Sequence, residues 1–67
     1  MDLSARNQLK GRVKSVNKSG LMAEVVVDVG GQEIVSVITA GSVDRMGLKT
    51  GDTVAAIVKS TEVMIAK

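Results

Sequence analysis

Apolar and polar positions alternate along the first half of the chain with the period of two that is typical of β-strands. Between Leu9 and Ser15 the odd-numbered positions are apolar or small and the even-numbered ones are Lys or Arg, which predicts a strand with one solvated face. Leu21 to Val29 repeats the alternation, and a β-branched run follows from Ile34 to Thr39. Turn residues separate the three runs, at Asn17–Gly20 and at Gly30-Gly31. These features predict three consecutive antiparallel strands.

The second half of the chain begins with a helical signal. Residues 42–47 predict one or two helical turns, with Thr39 or Ser42 as the N-cap and a glycine stop at the end. Residues 53–58 then predict a fourth strand, and residues 63–66 a short fifth one. Four to five strands with one short helix predict an all-β fold, a small OB-like Greek-key barrel.

The composition indicates an oligomer. A chain of 67 residues forms one domain, residues 1–67, with a thin core. It contains no Phe, Tyr or Trp to bury large apolar areas, and no Cys or His for a disulfide or an ordinary zinc site. Of the usual supports for a small domain, only association with further copies is left.

Two features of the sequence predict a cytoplasmic protein. It contains no Cys, and the first residues, Met1–Arg6, lack the apolar segment of a secretory signal. The apolar runs are also far shorter than the roughly 20 residues that span a bilayer, so no membrane segment is expected.

The net charge is only +2, but the cations are concentrated in the first 20 residues. A basic stripe of this kind can attract anions. The simpler explanation is a solvated strand face or a lysine-protected sheet edge, and we favour it for most of these residues.

The sequence does not favour catalysis. There is no His, Cys or Tyr, and the seven carboxylates are scattered singly, so no catalytic triad or acid–base pair can be assigned. No Asp and Glu cluster approaches the oxygen ligands that calcium requires. The glycine pairs lack the phosphate-loop pattern. We therefore expect a protein that is not an enzyme.

Two short polar segments consist largely of hydrogen-bond donors: Ser4-Ala5-Arg6-Asn7 before the first strand and Lys59-Ser60-Thr61 after the fourth. A tetrahedral oxyanion has only acceptor oxygens, so its site needs hydroxyls, backbone N–H groups and one or two cations. Arg6 offers a planar fork and Lys59 a compact charge. The alternative is that the hydroxyls bond local backbone groups and Arg6 is an ordinary surface charge.

The order of these segments resembles one known family. Residues 4–11 are similar to the beginning of the molbindins, the Mop family of molybdate-binding proteins, and residues 38–43, 47–52 and 58–64 are similar to its later motifs in order and spacing. The resemblance covers essentially the whole chain.

The resemblance implies an OB-like barrel whose subunits exchange strands to form dimers, and hexamers built as trimers of dimers. It implies molybdate, with tungstate as a mimic, bound at subunit interfaces for intracellular molybdenum storage and homeostasis. The residues that match its binding motifs are Ser4, Ala5, Arg6, Lys59 and Ser60. Thr39 and Ser42 match a further polar position beside the site, and suit helix caps equally well. The family also has oxyanion sites near the symmetry axes, for which no residue can be assigned.

Three alternatives compete with oxyanion binding. A pterin ligand would need an aromatic side chain for stacking, and the chain has none. An OB-type nucleic-acid-binding module would use Lys10, Arg12 and Lys14, but such surfaces normally stack bases on aromatic residues, so no nucleic acid is expected as a partner. In an oligomeric scaffold without a ligand, Arg6 and Lys59 would pair with carboxylates such as Glu62.

Overall fold

The computed structural model describes residues 3–67. Its elements are β1 Asn7–Ser19, β2 Met22–Val29, β3 Gln32–Thr39, α1 Ala40–Met46, β4 Thr53–Val58 and a single 3₁₀ turn at Ser60–Glu62. None of the helices in this range has the length and apolar character needed to cross a bilayer.

The four strands form one antiparallel sheet with the order β3-β2-β1-β4. Three consecutive strands lie side by side, and the fourth returns through the α1 connection to pair with the first, which is the Greek-key order. The predicted all-β, OB-like Greek-key architecture with one short helix is confirmed.

β1 pairs with both β2 and β4 because it is long and carries a bulge. Its first half, Asn7–Arg12, pairs with β4, and its second half pairs with β2. The register shifts between Val13 and Ser15, which leaves Lys14 as the extra residue and bends the strand. Because of this shift, the predicted alternation is wrong after Val13. Val16, and not Ser15, is the next residue that faces inward.

The hypothesis of a lysine-protected sheet edge at β1 is wrong, because β1 is an inner strand of the sheet. The alternative of a solvated face is confirmed, since Lys10, Arg12 and Lys14 are exposed. The strand also continues to Ser19, so the turn into β2 is confined to Gly20 and Leu21 rather than the whole of Asn17–Gly20.

The predicted hairpin and helix cap are confirmed. Gly30 and Gly31 join β2 to β3 with φ of 58° and 87°, a region that glycine enters without a Cβ clash. Thr39 is the N-cap of α1, and Gly47 ends the helix in the left-handed region. The helix begins at Ala40, two residues before the predicted start, so Ser42 lies inside it.

The core is small and made of short side chains. Val13, Ala23, Val25 and Val27 face inward from β1 and β2, and Val43 of α1 closes over them. At Gly11 the backbone of β1 passes so close to β2 that an added Cβ would clash with the Asp28 carbonyl and lie 2.8 Å from Val27 Cγ1. The thin core predicted from composition is therefore present, and it leaves no space for a side chain at Gly11.

The predicted fifth strand is not formed. Residues 63–67 follow the 3₁₀ turn without strand pairing, and Met64 and Ile65 are 92% and 89% exposed. The 3₁₀ turn ends the extended run, and apolar alternation alone supplies no hydrogen-bonding partner strand. β3 and β4 remain the two edges of the sheet, facing each other across an apolar groove of about 290 Å³.

Candidate functional site

The two predicted donor segments meet at one end of the sheet. Asn7 and Val58 are the last paired residues of the β1–β4 ladder. Arg6 precedes Asn7 and Lys59 follows Val58, so the two cationic residues leave adjacent antiparallel strands side by side. Neighbouring strands are about 5 Å apart, which is within the reach of both side chains to one small ion.

The segment before β1 is held by one side-chain hydrogen bond. The Gln8 side-chain amide donates to the Ala5 carbonyl at 2.9 Å, and Ala5 is half-buried. Ser4 and Arg6 on either side are exposed. Gln8 therefore fixes the backbone that presents the two donor side chains. Nothing in the sequence distinguishes Gln8 for this role, since a glutamine in an alternating strand gives no particular signal.

The segment after β4 turns sharply. Lys59 is extended, with φ of −65° and ψ of 135°, and its carbonyl accepts the Glu62 N–H at 2.9 Å to close the 3₁₀ turn that begins at Ser60. Ser60 lines a shallow groove with Asn7, Val58 and other apolar neighbours. The turn thus directs the chain away from the sheet immediately after Lys59, next to the end of β1.

The positive charges at this end are not neutralised by carboxylates within residues 3–67. The ion pairs in that range join Lys14 to Glu33, Lys18 to Asp44 at 2.8 Å and Lys49 to Asp52 at 3.3 Å. Neither Arg6 nor Lys59 takes part in one. The pairing with Glu62 expected for a scaffold without a ligand is absent from this part of the chain.

Thr39 and Ser42 form a second hydroxyl cluster. Thr39 Oγ1 accepts the Ser42 N–H at 3.0 Å, as an N-cap does, and donates to Ser42 Oγ at 2.7 Å. Arg45 Nη2 also donates to Ser42 Oγ, at 3.2 Å. Arg45 was missed in the sequence analysis, although its position three residues after Ser42 on a helix was the available signal.

The two clusters do not meet within one chain. Thr39 pairs with Met22, and Met22 pairs with Ser19, the last residue of β1. Arg6 precedes the first residue of the same 13-residue strand. The donor clusters therefore lie at opposite ends of β1, in a molecule whose longest dimension is 34 Å.

Two ionisable groups with shifted pKa values lie in the ion pairs instead of the candidate site. The side-chain hydrogen bond to Glu33, together with its charge, raises the pKa of Lys14. The backbone N–H of Lys49 donates to Asp52 at 3.0 Å and lowers the pKa of that carboxyl group. Both groups hold loops and strands together. In residues 3–67 no three Asp or Glu side chains come close enough to share a metal ion.

The chain is similar in sequence and in structure to proteins that are described as binding molybdenum-pterin or molybdate. The TOBE domain family matches residues 3–65. The molybdenum-pterin-binding protein 2 of Clostridium pasteurianum is 50% identical over 66 residues, which cover 97% of each chain. A molybdate-binding protein from Sporomusa ovata has a similar structure, with a TM-score of 0.95, 43% identity and 100% of both chains covered. The cytoplasmic molybdate-binding protein ModG, solved with molybdate bound, gives a TM-score of 0.85 and 41% identity over 90% of this chain and 43% of its own.

Proposed function

Because the chain belongs to the TOBE domain family, and within it to the Mop proteins or molbindins, we propose that it binds molybdate, with tungstate as a mimic, at sites between subunits. One observation carries the proposal. Arg6 and Lys59 emerge side by side where the β1–β4 ladder ends, and no carboxylate of residues 3–67 pairs with either.

The chemistry of this end of the sheet suits a small dianion. The Arg6 guanidinium can give two parallel hydrogen bonds, and Lys59 adds a compact charge. Ser4, Ser60 and the backbone N–H of Ala5 supply neutral donors. A fully deprotonated oxyanion needs only donors and cations, and these residues provide them. The comparisons favour this function over an OB-type nucleic-acid-binding module.

A second subunit would complete the site. Thr39 and Ser42 are too far along the sheet to join Arg6 and Lys59 of the same chain. We place Thr39 and Ser42 of the partner subunit against the Arg6 end of the first. The open, exposed position of Arg6 and Lys59 in the single chain supports this arrangement.

The free C-terminal residues support an oligomer. Val63, Met64 and Ile65 expose between 48% and 92% of their surface, while β3 and β4 have unpaired edges beside an apolar groove. Inserting these residues of one subunit against the sheet of another would bury both surfaces and satisfy the edge N–H and C=O groups. We therefore propose strand-exchanged dimers, assembled into a hexamer as a trimer of dimers.

The proposed role is storage and homeostasis of molybdate in the cytoplasm, with no catalytic step. The relatives named above are described as binding proteins. One of them, ModG, is described as cytoplasmic. A reversible site made of exposed donors is suited to uptake and release.

Thermal unfolding with added molybdate tests the proposal. A ligand that binds only the folded state at 100 times its Kd adds about 2.7 kcal/mol to stability, so the melting temperature should rise with concentration. Sodium chloride of equal ionic strength is the control. Elemental analysis of protein from molybdate-supplemented cells should find molybdenum bound to it. If molybdate leaves the melting temperature unchanged and no molybdenum copurifies, the proposed function is wrong.

A further inference from the structure

Arg45 is linked to Ser42 by a hydrogen bond that the proposed function does not use. Its Nη2 donates to Ser42 Oγ at 3.2 Å, and the Thr39 hydroxyl donates to the same oxygen at 2.7 Å. A serine hydroxyl has two acceptor positions and one proton. Arg45 and Thr39 can therefore fill both acceptor positions of Ser42 from within its own chain.

When Thr39 and Arg45 both donate to Ser42 Oγ, the proton of the Ser42 hydroxyl points away from them. Thr39 Oγ1 accepts the Ser42 N–H, and its own proton can be directed at Ser42 Oγ, which is the direction that leaves the Ser42 proton free for another acceptor. An acceptor brought to this surface would accept a hydrogen bond from the Ser42 hydroxyl. Molybdate oxygens are such acceptors.

The positive charge of Arg45 is available at the same place. Asp44, the adjacent carboxylate, pairs with Lys18 at 2.8 Å, and Arg45 forms no ion pair in residues 3–67. The guanidinium therefore withdraws electron density from the Ser42 hydroxyl without being neutralised by its neighbour. A hydrogen bond from a polarised hydroxyl to an anion is strengthened.

We propose that Arg45 is a positioning residue of the oxyanion site, which fixes Ser42 as a hydrogen-bond donor to the anion bound at the subunit interface. This inference rests on the proposed function. Without Arg45, the Ser42 oxygen loses one of its two donors, so its hydroxyl is held less firmly in the orientation that donates to the anion.

A double-mutant cycle tests the role of Arg45 in the full-length oligomer. Molybdate Kd values are measured by calorimetry for the parent, Arg45→Met, Ser42→Ala and the double variant. Ser42→Ala keeps the backbone N–H that caps the helix through Thr39, so the fold is retained. Arg12→Met removes an exposed cation elsewhere and serves as the charge control.

Arg45→Met should weaken binding roughly threefold to tenfold, the effect of one hydrogen bond. In the Ser42→Ala background the same change should have almost no effect, because the residue through which Arg45 acts is gone. Arg12→Met should leave Kd nearly unchanged, and native mass spectrometry should show the same oligomer for every variant.

Two outcomes overturn the inference while leaving the proposed function intact. One is that Arg45→Met weakens molybdate binding equally in the parent and in Ser42→Ala, which would mean that Arg45 acts directly or through its charge alone. The other is a parent-like Kd for Arg45→Met. A parent protein that binds no molybdate overturns the proposed function and this inference together.

Discussion

Asn7 and Val58 close the β1–β4 ladder, and the next residue on each strand is a cation. Residues 53 positions apart along the chain, Arg6 and Lys59, are neighbours for this reason alone. Like charges placed together repel unless water or a bound anion screens them. An oxyanion bound at the end of this ladder would therefore relieve that repulsion.

Arg6→Ala should weaken molybdate binding by roughly 1.5 to 3 kcal/mol, the usual contribution of hydrogen bonds to charged groups. The fold should be unchanged, because Arg6 is exposed and precedes β1. Calorimetry gives the affinity, and native mass spectrometry verifies the oligomer. Arg12→Ala, which removes an exposed cation on β1, is the control. Equal affinities for the parent and Arg6→Ala would identify Arg6 as an ordinary surface charge.

Lys59→Met separates a ligand-binding lysine from a structural one. Methionine keeps much of the aliphatic stem and removes the charge. If Lys59 binds the anion, the ligand-free protein should be at least as stable as the parent, since no partner carboxylate is left unpaired. Most of the stabilisation by molybdate should be lost. Thermal unfolding with and without molybdate measures both quantities. A strongly destabilised variant with a full molybdate response would contradict the assignment.

Ile65→Lys should disrupt assembly. Ile65 is 89% exposed in the single chain, so a charge there costs little in the monomer and opposes burial against a second subunit. Native mass spectrometry at equal protein concentrations should show a hexamer for the parent and smaller species for the variant. Thr50→Lys, at an exposed turn residue away from both donor clusters, should keep the parent state. An intact Ile65→Lys hexamer would rule out the proposed role of the C-terminal residues.

Gly11→Ala should lower the free energy of unfolding by about 1 to 3 kcal/mol, the usual cost of overpacking. An added Cβ would clash with the Asp28 carbonyl, which is backbone and can move only with β2. Gly41→Ala is the control, because nothing lies within 4 Å of its Cβ position in α1. The free energy of unfolding of Gly41→Ala should be higher than that of the parent by roughly 0.5 to 1 kcal/mol, which is the helix preference of alanine over glycine. Denaturant titration at fixed protein concentration measures the free energy of unfolding of both variants and of the parent.

Asp52→Asn should change how stability depends on pH. The Lys49 N–H lowers the pKa of Asp52 in the folded state, so the ionised carboxylate contributes stability above its unfolded pKa. That contribution is lost as the pH falls through the lower folded value. The parent should therefore exceed Asp52→Asn in stability at neutral pH, and the difference should close as the pH falls through the folded pKa of Asp52. A difference that is constant from neutral to acidic pH would contradict this linkage.

Much of the fold could be predicted because it is encoded locally. The Gly30-Gly31 hairpin, the Thr39 cap and the alternation in β2 each depend on a few adjacent residues. The Lys14 bulge could not be predicted, since a register shift is defined by the partner strand and leaves no local pattern. The fifth strand was predicted wrongly for the same reason: residues 63–66 alternate without having a partner in the described chain.

The candidate site was predictable in its residue types and less so in its geometry. The donor content of the segments around Arg6 and Lys59 identified both, and the ladder register places them together. Their separation from Thr39 and Ser42 depends on the direction in which β1 crosses the sheet, a tertiary property. Arg45 could not be identified from the sequence because a lone arginine on a short helix is common. Only its hydrogen bond to Ser42 distinguishes it.

In the proposed interface site, the placement of the two donor clusters at opposite ends of β1 would couple ligand occupancy to self-association. A separate chain would offer the anion only one of the two clusters, so its apparent affinity should grow with protein concentration. Conversely, each bound anion draws two chains together by mass action. Dilution would release molybdate even when its free concentration is held constant, and scarcity of molybdate would loosen the assembly. A protein with such a site would respond to its own abundance as well as to the abundance of the ion.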